Sequence, residues 1–315
     1  MKRLTKLVLL LIALLIVALA YGLLSSWAPD RSVADLKPRW APAPSMFVAV
    51  DGMLVHVRDQ GRRDDPTPIV LLHGTSASLH TWEAWAAVLQ DKHRVISLDL
   101  PGFGLTGPFP DGNYSSAHYT DFLVHLLNQL QVTQAVIAGN SLGGQLAWQF
   151  AVAEPARVSK LILVDAAGYP RSSNKVPIGF RLAQFPALAP LMTKMLPRSM
   201  IESSVRNVYG DPSKVSAALI DRYYELTLRA GNRQALIERF KQTEAGDSYQ
   251  RIAQIKVPTL ILWGGLDGLI PPINAEHFKR DIKGSRLVMF PELGHVPHEE
   301  APLPTVATVQ QFLDE

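Results

Sequence analysis

Hydrophobic residues fall along this chain in three regimes. From Leu7 to Leu24 they run without a charge, and Lys2, Arg3 and Lys6 stand just ahead of them. A helix over that run spans roughly 27 Å, close to the hydrocarbon thickness of a bilayer. Two readings follow. As an uncleaved anchor, the run leaves the basic flank (1–6) in the cytoplasm and the rest of the chain on the far side, with Trp27 near the interface. As a cleaved signal peptide, it offers the small residues of Ala18-Leu19-Ala20 and releases a secreted or periplasmic product. Continuation of the run through Tyr21, Leu23 and Leu24 favours the anchor.

From 25 to 45 the pattern dissolves. Pro29, Pro38, Pro42 and Pro44 interrupt it, so a helix-free linker is expected there.

Beyond residue 45 short apolar runs alternate with amphipathic ones. Phe47–Val50 and Met53–Asp59 flank Asp51-Gly52 as a hairpin. Ile69–Leu72, Arg94–Leu98, Ala135–Ala138, Leu161–Val164, Thr259–Trp263 and Leu287–Phe290 read as strands. Helices are expected over Trp82–Leu89, Ala117–Leu130, Leu142–Ala153, Asn274–Arg280 and Thr305–Leu313. Phe122, Leu123, Leu126, Leu127 and Leu130 give the second of these its apolar face. Short, continuously apolar strands between helices imply an α/β fold, with a mostly parallel eight-stranded sheet covered on both faces. Residues 171–250 lack strand-like runs and carry several prolines; they read as a helical cap inserted into a body of 46–170 and 251–315.

Composition adds exclusions. Hydrophobic residues make up 47% of the chain and charged ones 19%, enough for a sizeable core, while the net charge is only +3. No basic stripe marks a nucleic-acid partner. There is no cysteine, which removes disulfides, thiolate catalysis and cysteine-ligated metal.

The chemistry centres on Gly139-Asn140-Ser141-Leu142-Gly143, which follows an apolar strand and opens an apolar helix. This is the Gly-x-Ser-x-Gly elbow in the strand–turn–helix setting it requires. A serine hydroxyl needs a base, and the base needs an acid to orient it. Asp267, past the strand Thr259–Trp263, and His295, past Leu287–Phe290, supply them in the chain order Ser, Asp, His. All three lie just beyond strand C-termini, the edge where open α/β sheets place their sites. His298 is the alternative base, with Gly294 favouring His295, and Asp165 the alternative acid. Glu292 reads as a solvated loop charge. Leu142 and Thr75 are expected to give the two backbone donors of an oxyanion hole, and His73 to be structural. The mechanism calls for no metal or organic cofactor.

The segments Leu71-Leu72-His73-Gly74, Asp99-Leu100-Pro101-Gly102-Phe103-Gly104, the elbow, Trp263-Gly264-Gly265-Leu266-Asp267 and Gly294-His295 together resemble the α/β-hydrolase superfamily over nearly all of 47–315. The resemblance implies that fold and a serine triad. Ser141 stands where haloalkane dehalogenases and epoxide hydrolases carry Asp, which disfavours both. Two branches remain. Carboxylesterases and lipases are one; carbon–carbon hydrolases of aromatic ring-cleavage products are the other. Asn140 and Arg222, which resembles a cap arginine facing the substrate's acid group, point to the second as substrate contacts. Val296 stands where that branch usually has Trp, and with the export signal it turns the choice to an esterase. An acyltransferase using the same acyl-enzyme is a further alternative. A binding protein that lost catalysis would have dropped a triad member, and none is missing.

Between Ala166 and Ile201 there is no acidic residue, and Arg171, Lys175, Arg181, Lys194 and Arg198 alternate with Phe180, Leu182, Phe185, Leu188, Leu191, Met192, Met195 and Leu196. That composition suits a face lying on anionic lipid and admitting a lipophilic small-molecule ester; packing of the apolar residues onto the body is the competing reading.

Overall fold

Side chains alternate across a strand, and here the alternation decides the layers. A computed structural model describes residues 2–170, 178–182, 185, 193–242 and 247–315. The strands are β1 (Ser45–Val50), β2 (Met53–Gly61), β3 (Ile69–Leu72), β4 (Arg94–Leu98), β5 (Ala135–Asn140), β6 (Val158–Val164), β7 (Thr259–Gly264) and β8 (Arg286–Phe290). They form one sheet in the order β1-β2-β4-β3-β5-β6-β7-β8. Only β2 runs against its neighbours. On one face Val70, Leu72, Ile137, Leu161 and Ile261 pack with α4 (Ser116–Gln129), α5 (Leu142–Ala153) and α10 (Ile273–Asp281). On the other, Ile69, Leu71, Val136, Ile162 and Leu260 meet α3 (Glu83–Leu89) and α12 (Pro302–Asp314). This is the eight-stranded, two-sided α/β architecture that the strand pattern predicts.

The N-terminal run forms α1 (Lys2–Ser26), whose Leu4–Ser26 stretch has a mean hydropathy of 3.1 and is unburied; it has the length and composition to cross a membrane.

The next segment differs from the helix-free linker expected. Ser32 and Asp35 form a capping box that starts α2 (Val33–Trp40), and Pro38 lies inside that helix. Local proline chemistry is overridden by what the segment touches. Leu36 is fully buried among Leu105 and Leu226. Arg31 N–H donates to Leu228 O at 2.7 Å, and Ala230 N–H returns to Arg31 O at 2.8 Å. Asp30 pairs with Arg233 at 2.6 Å, and Trp40 Nε1–H donates to Glu225 at 2.7 Å. Residues 27–45 are therefore a strap over the helices between β6 and β7. Leu36→Ala should cost about 2–5 kcal/mol of stability, as a Leu-to-Ala cavity does in a core. An unchanged urea midpoint would show that the strap contributes nothing to folding.

Between β6 and β7 the described residues form α6 (Ile178–Leu182), α7 (Arg198–Val208), α8 (Ala217–Thr227) and α9 (Asn232–Lys241), with no strand. Val205, Tyr209, Val215 and Ile220 make a small core together with Val296 of the body. Part of the set read as lipid-facing packs inward: Leu196 is buried with Ala28 and Leu228. Phe180 packs on Phe240, whereas Phe185 is exposed. Arg171, Lys175, Leu188, Leu191 and Met192 lie outside the described residues.

Candidate active site

Five loops leave the C-terminal ends of β3, β5, β6, β7 and β8, and every sequence-predicted site residue except Arg222 lies on them, ends the strand before or opens the helix that follows. Ser141 follows β5 at φ 53°, ψ −114°, a left-handed setting uncommon for a non-glycine residue. The turn is this tight because no side chain separates its layers. A Cβ on Gly139 would lie 2.1 Å from Gly143 O, and one on Gly143 2.1 Å from Leu72 O. Backbone bonds then stitch the turn to β6 and beyond: Ser141 N–H to Val164 O (3.1 Å) and Ala167 N–H to Ser141 O (3.0 Å). Ser141 itself is partly exposed.

The loop after β3 passes against this turn, so that a Cβ on Gly74 would sit 3.2 Å from that of Ser141. His73 braces it. Its Nδ1–H donates to Gly74 O (2.7 Å) and its Nε2 accepts from Leu100 N–H (2.9 Å). Burial lowers its pKa and keeps it neutral, which matches the structural part expected of it. Thr75 follows directly. Leu142 opens α5, where backbone N–H groups have no intrahelical acceptor.

Asp267 and His295 meet. His295 Nδ1 lies 2.7 Å from Asp267 Oδ2, and both residues are buried. Asp267 Oδ1 accepts the N–H groups of Leu269 (2.8 Å) and Ile270 (2.9 Å). The carboxylate is thus held by its own loop while its other oxygen accepts a hydrogen bond from the imidazole Nδ1–H. That leaves the lone pair on His295 Nε2.

The alternatives are also placed. His298 lies buried with its ring 4.0 Å from that of Trp82. Neither of its ring nitrogens is hydrogen-bonded among the described residues, and burial pushes its pKa well down. Asp165 accepts Gly264 N–H at 3.0 Å. Its carboxylate, that of Asp267 and a His295 ring nitrogen lie within 4.8 Å of one another. Full burial, then the charge of Asp267, raises its carboxyl well above the usual range and favours the protonated form. These three are the one group of metal-ligand types found among the described residues, and two of them, Asp267 and His295, are already bonded to each other. Glu292 is exposed, as expected.

Two expected substrate contacts are placed otherwise. Asn140 is buried and donates its amide N–H groups to Val164 O (3.1 Å) and His295 O (3.0 Å), so it ties the histidine loop to the serine turn. A short polar side chain beside the serine reaches backbone acceptors before it reaches solvent. Arg222, on α8, pairs with Glu299, which also accepts from Tyr223 OH at 2.9 Å. Glu225, three residues further along the same helix, is taken by the strap. One carboxylate beside the site is not among the expected site residues: Glu300, buried and bonded to three backbone N–H groups.

A family model described as alpha/beta hydrolase fold matches residues 67–302. The hydrolase YugF of Bacillus subtilis (strain 168) is 27% identical over 266 residues, 83% of this chain and 95% of that one. The 2-hydroxy-6-oxo-2,4-heptadienoate hydrolase of Pseudomonas putida is 27% identical over 283 residues, 85% and 95% of the two chains. Among solved structures, a membrane phospholipase A described as a bacterial virulence factor superposes with a TM-score of 0.72 and 26% identity, covering 100% of this chain and 98% of that one.

Proposed function

The chain belongs to the α/β-hydrolase fold family and is a hydrolase; from that premise we propose that it cleaves lipophilic carboxylic esters through an acyl-enzyme on Ser141. The observation carrying this reading is the 2.7 Å bond that orients His295 by Asp267, on a loop that Asn140 ties to the serine turn. In the first half-reaction His295 Nε2 takes the Ser141 proton as the oxygen attacks the acyl carbonyl. The N–H groups of Thr75 and Leu142 hold the developing oxyanion, and Asp267 stabilises the imidazolium. His295 then protonates the leaving alcohol. In the second half it activates water, which releases the acid and frees the serine.

Ester cleavage is preferred to carbon–carbon cleavage because the two residues that pointed to the latter are otherwise engaged. Asn140 serves the backbone, and Arg222 is neutralised by Glu299. The side chain after the base, Val296, is buried among insert residues.

The reading extends to the membrane. Ser26, at the end of α1, accepts Leu196 N–H at 2.8 Å, and Ala28 N–H donates to Lys194 O at 3.0 Å. The apolar helix is thus joined to the insert within a few residues of its end. We read α1 as an uncleaved anchor, with the catalytic part on the non-cytoplasmic side and the insert as the cap nearest the bilayer. The similarity to a membrane phospholipase A supports an acyl ester of a membrane lipid as substrate.

The test uses full-length protein in mild detergent: a chain-length series of p-nitrophenyl esters, fatty-acid release from phosphatidylcholine vesicles, and a vinylogous diketone acid. Turnover rising with acyl length and release from vesicles are expected. Diketone cleavage without ester turnover would replace the reading by carbon–carbon hydrolysis. Acyl transfer to an added alcohol in place of acid release would make it an acyltransferase. A truncate for comparison should begin at Trp27, since cutting at 45 removes buried Leu36.

A further inference from the structure

His295 is anchored from two sides, and one of them is the helical insert. Its own N–H donates to Val208 O, at the end of α7, at 2.7 Å. The residue before it, Gly294, is pressed between two other glycines. A Cβ on Gly264, at the end of β7, would lie 1.9 Å from Gly294 O; a Cβ on Gly294 would lie 2.4 Å from Gly210 N. With no side chain at any of the three, the backbones of body, histidine loop and insert are in direct contact.

A single side chain locks that contact. Glu300 Oε2 accepts Gly294 N–H at 2.8 Å and Gly210 N–H at 2.9 Å, and Oε1 accepts Asp211 N–H at 2.8 Å. The carboxylate is fully buried, with Lys214 Nζ 3.9 Å away. Charge-assisted bonds of this kind are about twice as strong as neutral ones. A buried carboxylate with three donors aimed at it is a directed arrangement, because burying it unpaired would be prohibitive.

We propose that Glu300 is a positioning residue that fastens the catalytic base to the helical insert, so that the placement of the insert sets the reach of His295 toward Ser141. The inference rests on the ester-hydrolase reading above and adds a connection to it. The base is held by the body through Asp267 and Asn140, and by the insert through Glu300 and Val208. An insert displaced from the body carries Gly294, and with it the imidazole, out of line. A misplacement of about 1 Å at the reacting groups costs on the order of 100-fold.

The experiment compares wild type with Glu300→Gln, Glu300→Ala and Gly210→Ala, all full-length in detergent, on one p-nitrophenyl ester. Glu300→Gln keeps the shape and one acceptor oxygen. Gly210→Ala pushes on the same contact from the insert side, its Cβ 2.8 Å from Gly294 N. Expected is a fall in kcat of about 10- to 100-fold at unchanged KM in each folded variant, with Glu300→Gln the mildest and fluorophosphonate labelling slowed in parallel. Wild-type kcat in the folded variants, or losses that only track the fraction of folded protein, overturn the proposal. Ser141→Ala separates the two levels. If it is inactive while the Glu300 variants match wild type, the clamp fails and the hydrolase reading stands. If wild type turns over no ester, the reading itself fails and the clamp goes with it.

Discussion

Ser141→Ala should lower ester turnover by about a million-fold, the loss seen when a triad serine is removed from other hydrolases, equivalent to roughly 8 kcal/mol of transition-state stabilisation. The size follows from what remains. Without the oxygen there is no acyl-enzyme, and His295 and the backbone donors are left to act on a substrate that nothing attacks. The fold should survive, because alanine meets the same left-handed backbone that serine already occupies at φ 53° and adds no atom to a turn where Gly139 and Gly143 leave no room. Two measurements check this. Hydrolysis of the preferred p-nitrophenyl ester should fall to background at an unchanged thermal midpoint, and a fluorophosphonate probe should label wild type but not the variant. A variant that retained a tenth of the activity would remove Ser141 from the mechanism.

Why the triad candidates are legible from sequence alone, and the strap is not, has a physical answer. Ser141, Asp267 and His295 sit past short apolar strands, and a strand buried on both faces leaves a continuous hydrophobic run. Tight turns around them demand glycine at Gly139, Gly143 and Gly294, so chemistry and local geometry mark the same positions. The strap has the opposite character. Leu36 is its one fully buried large side chain, and several of its other ties reach residues about 200 positions away, such as Asp30 to Arg233. No local period records a contact of that kind, and four prolines in 25–45 speak against a helix that tertiary packing nevertheless holds. Asn140 and Arg222 show a related limit. Residue type announces that each forms a polar contact, and only the fold decides whether the partner is a substrate or His295 O and Glu299. Glu300 was invisible because a buried acid and an exposed one look alike in a sequence.

Two neighbouring carboxylates should respond in opposite ways to the same conservative change. Asp267→Asn is expected to lower kcat by about ten-thousand-fold, the scale of the equivalent substitution in a serine protease. The loop dictates why. Leu269 and Ile270 N–H groups bond Oδ1, so an amide must turn its oxygen to them and its NH2 toward His295. The imidazole then has to accept at Nδ1 and carry its proton on Nε2, where it cannot take one from Ser141. At Asp165 the same substitution imitates the neutral acid that burial favours. Gly264 N–H fixes the oxygen, the amide NH2 replaces the acid O–H, and kcat should stay near that of wild type. Stability should change instead. Because burial and Asp267 raise the Asp165 pKa well above its ordinary value, the native state holds a proton that the unfolded chain releases from about pH 3.9 upward. Stability therefore declines as pH rises from there to the raised native value. Asp165→Asn has no such proton to lose, so its urea midpoint should fall less than that of wild type as pH rises above the ordinary carboxylate range. Parallel pH profiles would show that Asp165 is ionised in the native protein. A ten-thousand-fold loss at Asp165 with near-normal turnover at Asp267 would exchange their roles.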